Sequence, residues 1–161
     1  MAFFRRAEEQ HRAPSPPPPD DDSPAALYAA LYQLNRLINA SAGRLPVAAS
    51  TAARAVTDTV REIIDSSEVR ELDVYAVVTV KGVLLDYLPT SLRGYLALDP
   101  GAVDVPRADG GTARAALLEQ IDALQQASDR VLDAVRSQDM NALMAQGRFL
   151  SSKFGASELD L

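Results

Sequence analysis

The chain has 161 residues, 47% of them hydrophobic and 24% charged, which is enough to bury one core and to fold as one domain. Its net charge of -6 argues against general nucleic-acid binding, which rests on cations neutralising phosphates. There is no cysteine, and the one histidine, His11, lies ahead of the folded part, so thiolate metal sites, thiol nucleophiles and Ser-His-Asp constellations are excluded from the fold.

In the opening "MAFFRRAEEQHRAP", Phe3 and Phe4 precede Arg5 and Arg6, the reverse of the basic-then-apolar order of a secretory signal. The stretch "APSPPPPDDDSP" offers nothing to bury, so residues 1–22 are predicted to be a disordered proline- and aspartate-rich tail, read as a spacer rather than a docking ligand. Asp20, Asp21 and Asp22 read as a solvated charge run, because a metal site needs ligands fixed by surrounding structure.

Order is expected from Ser23, an N-cap followed by proline at the first helical position. Leu27, Leu31, Leu34 and Ile38 then recur at alternating spacings of four and three, which predicts a helix ending near Ala42 with Gly43 as its stop. After Pro46, the stripe Ala49, Ala53, Val56, Val60 and Ile63 or Ile64 predicts a second helix, whose small residues allow close approach to the first.

The next segment, "LDVYAVVTVKGVLLDYL", is rich in β-branched residues and reads as strand by propensity alone. It is too long for a typical strand, has no hairpin partner and sits among helical periodicities, so a buried helix is expected, kinked or restarted at Pro89. Asp73, Lys81 and Asp86 interrupt the most apolar region, leaving no run of about 18 uncharged apolar residues that would span a membrane. The expected location is cytoplasmic, with a membrane-peripheral position as the alternative.

A loop, "DPGAVDVPRADGG", follows, and its "DGGTAR" end lacks the GK[ST] of a phosphate-binding loop. From Thr112 to about Gln138, Leu117, Ile121, Leu124, Ser128, Val131 and Val135 predict a long helix. Asp139 is expected to cap a separate last helix in which Met140, Leu143 or Met144, Gly147, Leu150 and Phe154 face inward and Gly155 ends the turn. The fold class is therefore all-α: an antiparallel bundle of five to six helices over residues 23–155, followed by a loose acidic tail at 156–161.

Tyr87, Leu88, Pro89, Thr90, Leu92 and Arg93, then Leu117 to Val135, Asp139, and Leu143 to Phe154 match in order and spacing an aromatic-Leu-Pro-Thr turn, a long periodic helix, an Asp-containing break and a short Leu/Met helix. In these features the chain from about Ile63 onward resembles the XpaC-like family, named after hydrolysis of an indolyl phosphate dye and often encoded beside TelA-like toxic-anion-resistance proteins. Asp86 stands where the first tyrosine of the usual pair is found, and Gly94 interrupts the Leu-rich stretch. The resemblance implies a bacterial stress or toxic-anion response and a protein partner, with a TelA-like protein as the candidate. The name implies a phosphatase, but without a folded histidine or cysteine only a carboxylate nucleophile or carboxylate-held metal could serve. The leading reading is a non-catalytic adaptor with no cofactor; the alternative is a metal-dependent phosphoester hydrolase. The partner-binding candidates are Tyr87, Pro89, Thr90, Arg93 and Tyr95, gathered at a corner made by Pro89, since Tyr and Arg are favoured at binding hot spots.

Overall fold

The computed structural model describes residues 22–155, with side chains described as far as Arg148 except at Gly147. The tails predicted at 1–22 and 156–161 lie outside this range apart from Asp22, and so do the side chains of Gly147, Leu150 and Phe154. Among the described residues the fold is all helix, without strands: α1 (Pro24–Ser41), α2 (Val47–Asp65), a single 3-10 turn (Ser66–Glu68), α3 (Val74–Lys81), a π-helical segment (Gly82–Tyr87), α4 (Leu88–Leu96) and α5 (Ala113–Gly155).

Three of the helices, α1, α3 and α5, start at a side-chain cap. Ser23 accepts the Ala26 amide at 3.2 Å, Asp73 accepts the Ala76 amide at 2.7 Å, and Thr112 accepts the Ala115 amide at 3.1 Å, each supplying an acceptor to a first-turn donor that has no intrahelical partner. Gly43 does not stop α1 by turning left-handed, because Gly110 is the one positive-φ residue described. Instead the Arg44 and Leu45 amides both bond the Ser41 carbonyl, at 2.9 and 3.0 Å, in a tight right-handed closure before Pro46.

The five to six predicted helices become four helical rods, for two reasons. First, Pro89 neither ends nor breaks the valine-rich helix: the backbone is helical without interruption over residues 74–96. The widened turn before the proline, in which the Leu88 amide bonds the Val83 carbonyl, puts Pro89 at the start of a fresh α-helical register where a missing N–H costs least. Second, Asp139 caps nothing. It sits inside α5, where its carboxylate pairs with Arg70 at 2.7 Å, so the two helices predicted on either side of it are one helix of 43 residues.

The rods form a ring in which α1 touches α2 and the 74–96 rod, and α5 touches the same two. Tyr28 near the start of α1 meets Asp65 at the end of α2, so that pair is antiparallel. Arg44, just past α1, reaches the Leu96 carbonyl at 2.5 Å, so α1 and the rod run parallel. Likewise α2 and α5 run parallel, with Gln125 bonded to Thr59 at 2.9 Å and Arg136 to Glu62 at 2.6 Å. The expected antiparallel bundle is therefore antiparallel between α1 and α2 and between the rod and α5, and the 66–73 connection crosses the ring diagonally.

The core is aliphatic, with Leu27, Ile38, Ile63, Ile64, Leu88, Leu92 and Ile121 fully buried. The buried hydroxyls of Thr57 and Ser128 donate to the Arg54 and Leu124 carbonyls one helical turn back, so neither is left unpaired. At about 1.5 Å per residue α5 is roughly 64 Å long against about 28 Å for α2, and its buried positions stop at Val135. Met140, Leu143 and Met144, expected to face inward, are exposed because the shorter rods end before reaching them.

Two expectations follow. Amides of α5 beyond Met140 should exchange with solvent at least about tenfold faster than those from Leu117 to Val135, measured by hydrogen–deuterium exchange, since a helix without tertiary burial is marginal in water. The second concerns Tyr28, whose hydroxyl donates to Asp65; that hydrogen bond, helped by desolvation, pushes the phenol from 10.0 up to about 12. A raised folded-state value favours the protonated form, so the contribution is complete below about pH 10 and lost as pH rises through about 12. Tyr28→Phe should lower the melting temperature by a constant amount between roughly pH 7 and 9, and that gap should close in strong alkali.

Candidate functional site

Tyr87, Thr90, Ser91, Gly94 and Leu98 recur three or four residues apart, so they share the side of the rod that meets the first half of α5. Together with Leu117, Gln120 and Leu124 they line a groove of about 650 Å³, within the range of natural ligand pockets. Its floor is apolar and its rim polar, carrying the Asp86 carboxylate, the Tyr87, Thr90 and Ser91 hydroxyls, the Gln120 amide and the Arg107 guanidinium. Apart from its own helix, no heavy atom lies within 4 Å of where a Cβ on Gly94 would stand, so the glycine faces open space where it lines the groove.

The 97–112 connection brings Arg107 to the rim. Arg114 grips Asp104 with two bonds of 2.5 and 2.6 Å, and its amide bonds the Val103 carbonyl at 3.2 Å, while Val103 is buried. The hydrogen bonds from Arg114 hold the Asp104 carboxyl below its ordinary value. Beyond it, Arg107 and Gly111 are joined from the Arg107 amide to the Gly111 carbonyl at 2.9 Å, and the Gly110 amide bonds the Arg107 carbonyl at 2.9 Å. Gly110 takes φ +81°, which a side chain would strain. The "DGG" stretch is thus a tight turn just ahead of α5.

The π-helical segment sets the tyrosine at the groove mouth. A Cβ on Gly82 would stand 2.8 Å from Cε2 of Tyr87, so the ring lies directly over the glycine five residues before it. In an uninterrupted α-helix the residue above Gly82 would be Asp86, four positions on; the widened turn hands that seat to Tyr87.

The five predicted contact residues do not share one corner. Tyr87, Thr90 and Tyr95 line the α4–α5 groove, but Tyr95 is buried in its wall, with 8% of its surface exposed, rather than offered to solvent. Pro89 and Arg93 point to another side of the rod, where with Leu34, Leu37 and Leu85 they line a second depression of about 470 Å³ against α1. Sequence reasoning missed Gly94 as an opening and Arg107 as a rim cation. The three-four spacing of residues 87, 90, 91, 94 and 98 carried the first; nothing local pointed to the second, which depends on how the loop folds back.

Asp86 is the groove's one carboxylate, and the Thr90 hydroxyl lies 3.5 Å from it, longer than a strong hydrogen bond. Among the described residues no cluster of three or more His, Cys, Asp or Glu could hold a metal ion.

The seating of Tyr87 can be tested by a double-mutant cycle. Gly82→Ala should gain about 0.5–1 kcal/mol of helix propensity in a Tyr87→Ala background and clearly less with Tyr87 present, where the ring must shift, as read by urea denaturation. In comparisons with known proteins, the chain matches no protein-family model, no curated protein and no solved structure.

Proposed function

We propose that the protein is a non-catalytic interaction module whose α4–α5 groove receives an apolar side chain or helix face of a protein partner. The observation that carries this reading is the unfilled space beside Gly94, set in an apolar floor and edged by Tyr87, Gln120 and Arg107. Such a hole takes a knob from another helix, and an aromatic residue with an arginine beside it is the composition of an energetic hot spot. The resemblance to the XpaC-like family supports the finer part of the proposal: a bacterial stress or toxic-anion response, with a TelA-like protein as the partner. Among the described residues no helix is long and apolar enough to cross a membrane.

Binding of a purified TelA-like protein by calorimetry is the direct test. Gly94→Leu should block it without lowering the melting temperature, because the new side chain enters open space and replaces a glycine inside a helix. Tyr87→Ala should weaken it by about 1–4 kcal/mol, and Arg93→Ala, on the α1 side, should leave it intact. No binding, or loss with Arg93→Ala but not with Gly94→Leu, would move the interaction to another surface. Turnover of an aryl phosphate with magnesium or manganese that survives purification and disappears in Asp86→Asn would replace the adaptor reading by the hydrolase one.

A further inference from the structure

Helix α3 is apolar on nearly every side, a composition that belongs to a helix covered all round. It is covered on one side only. Ala76 and Val80 are buried, whereas Val74, Tyr75 and Val78 are exposed by 80%, 64% and 63%. Beside them, α3, the 66–73 connection and the start of α1 enclose a depression of about 530 Å³, with Leu27, Leu72, Val77 and Val78 in its walls and Glu71 at its edge. Neither Glu71 nor Glu68 on the same connection makes an ion pair among the described residues.

The chain outside the described fold starts at this depression. Asp22 is itself part of its lining, and it pairs with Lys81 of α3 at 2.6 Å, so residues 1–21 leave from alongside the exposed face. Their one aromatic and cationic cluster is Phe3-Phe4-Arg5-Arg6. We propose that this cluster docks in cis on the outer face of α3, its rings covering Val74 and Val78 and its guanidinium groups meeting Glu71 and Glu68.

Reach and area both favour this occupant. Seventeen residues lie between Phe4 and Asp22, a contour of roughly 60 Å, while Val74 lies only about 10 Å along the helix from Lys81. Even a fully extended polyproline run at 16–19 would take up only roughly 12 Å of that contour, which leaves ample chain to return. A tethered ligand acts at an effective concentration in the millimolar range, so a few contacts suffice. A second copy would enjoy no such advantage, and three exposed side chains fall well short of the ~800 Å² per partner that a stable dimer buries. The complement is electrostatic as well as apolar: two cations meet two unpaired carboxylates.

The absence of native cysteine makes the test clean. In the full chain, Ala2→Cys is combined either with Ser67→Cys, which lines the depression, or with Ala115→Cys, exposed at the opposite end of the bundle. Under a mild thiol oxidant at low protein concentration, the first pair should close an intramolecular disulfide faster than the second by on the order of tenfold. Phe3→Ser with Phe4→Ser should reduce that rate to the control's, and Glu71→Lys should slow it. Equal rates for the two pairs would overturn the proposal. So would disulfides that form only between chains with a dimer in sedimentation, which would give the face to a second copy.

Discussion

The bond from the Leu88 amide to the Val83 carbonyl, reaching five residues back instead of four, sets the register of everything on its C-terminal side. Ala76, Val80, Leu84, Leu88 and Leu92 are buried at a strict spacing of four. In a plain α-helix each such step drifts by about 40°, so the last of the five would face away from the first by about 160°. The extra residue in the widened turn takes back about 100° of that drift and keeps all five against the bundle. The same turn seats Tyr87 on Gly82, clears the carbonyl that Pro89 would otherwise strike, and aims Thr90, Ser91 and Gly94 at α5. Core, proline and groove are thus three results of one hydrogen bond.

Much of this was written in the local pattern. The stripes of α1, α2 and α5 were legible because a three-four alternation has one structural meaning, and the capping of α1 by Ser23 because serine before proline has little other use. The valine-rich segment was legible as helix only from its surroundings, since its β-branched residues vote for strand. What misled was punctuation. Pro89 looked like a kink or restart because a proline inside a helix usually is one; the spacing of four that goes with a widened turn shows only once the buried positions are known. Asp139 looked like a cap because aspartate favours that position, but an exposed aspartate within reach of Arg70 is tolerated in mid-helix, and that partner lies 69 residues away. Met140, Leu143 and Met144 looked like core because periodicity says which residues share a face, not whether another helix is long enough to cover it.

The site was legible in a similar, partial way. Tyr87 and Thr90 were singled out correctly as neighbours in space, whereas Arg93, three positions on from Thr90, faces α1. Within one helical segment a few residues' difference decides between two unrelated surfaces. Arg107 could not be read at all, because its place depends on a loop held by Val103 in the core and by the Asp104–Arg114 pair.

The parallel pairing of α2 with α5 has a consequence for synthesis. The face of α2 that carries Ala53, Val56, Val60 and Ile63 is closed mainly by a helix that begins at Ala113. A nascent chain ending near residue 112 already holds α1, α2 and the central rod, yet has nothing to lay over that face. Its longest pairings up to then, Arg44 with Leu96 and Asp22 with Lys81, already span 52 and 59 residues, and the one that completes the core spans 66 between Thr59 and Gln125. The core therefore closes only once α5 is available, and the interval before α5 emerges is when a passing chaperone would find the most to hold.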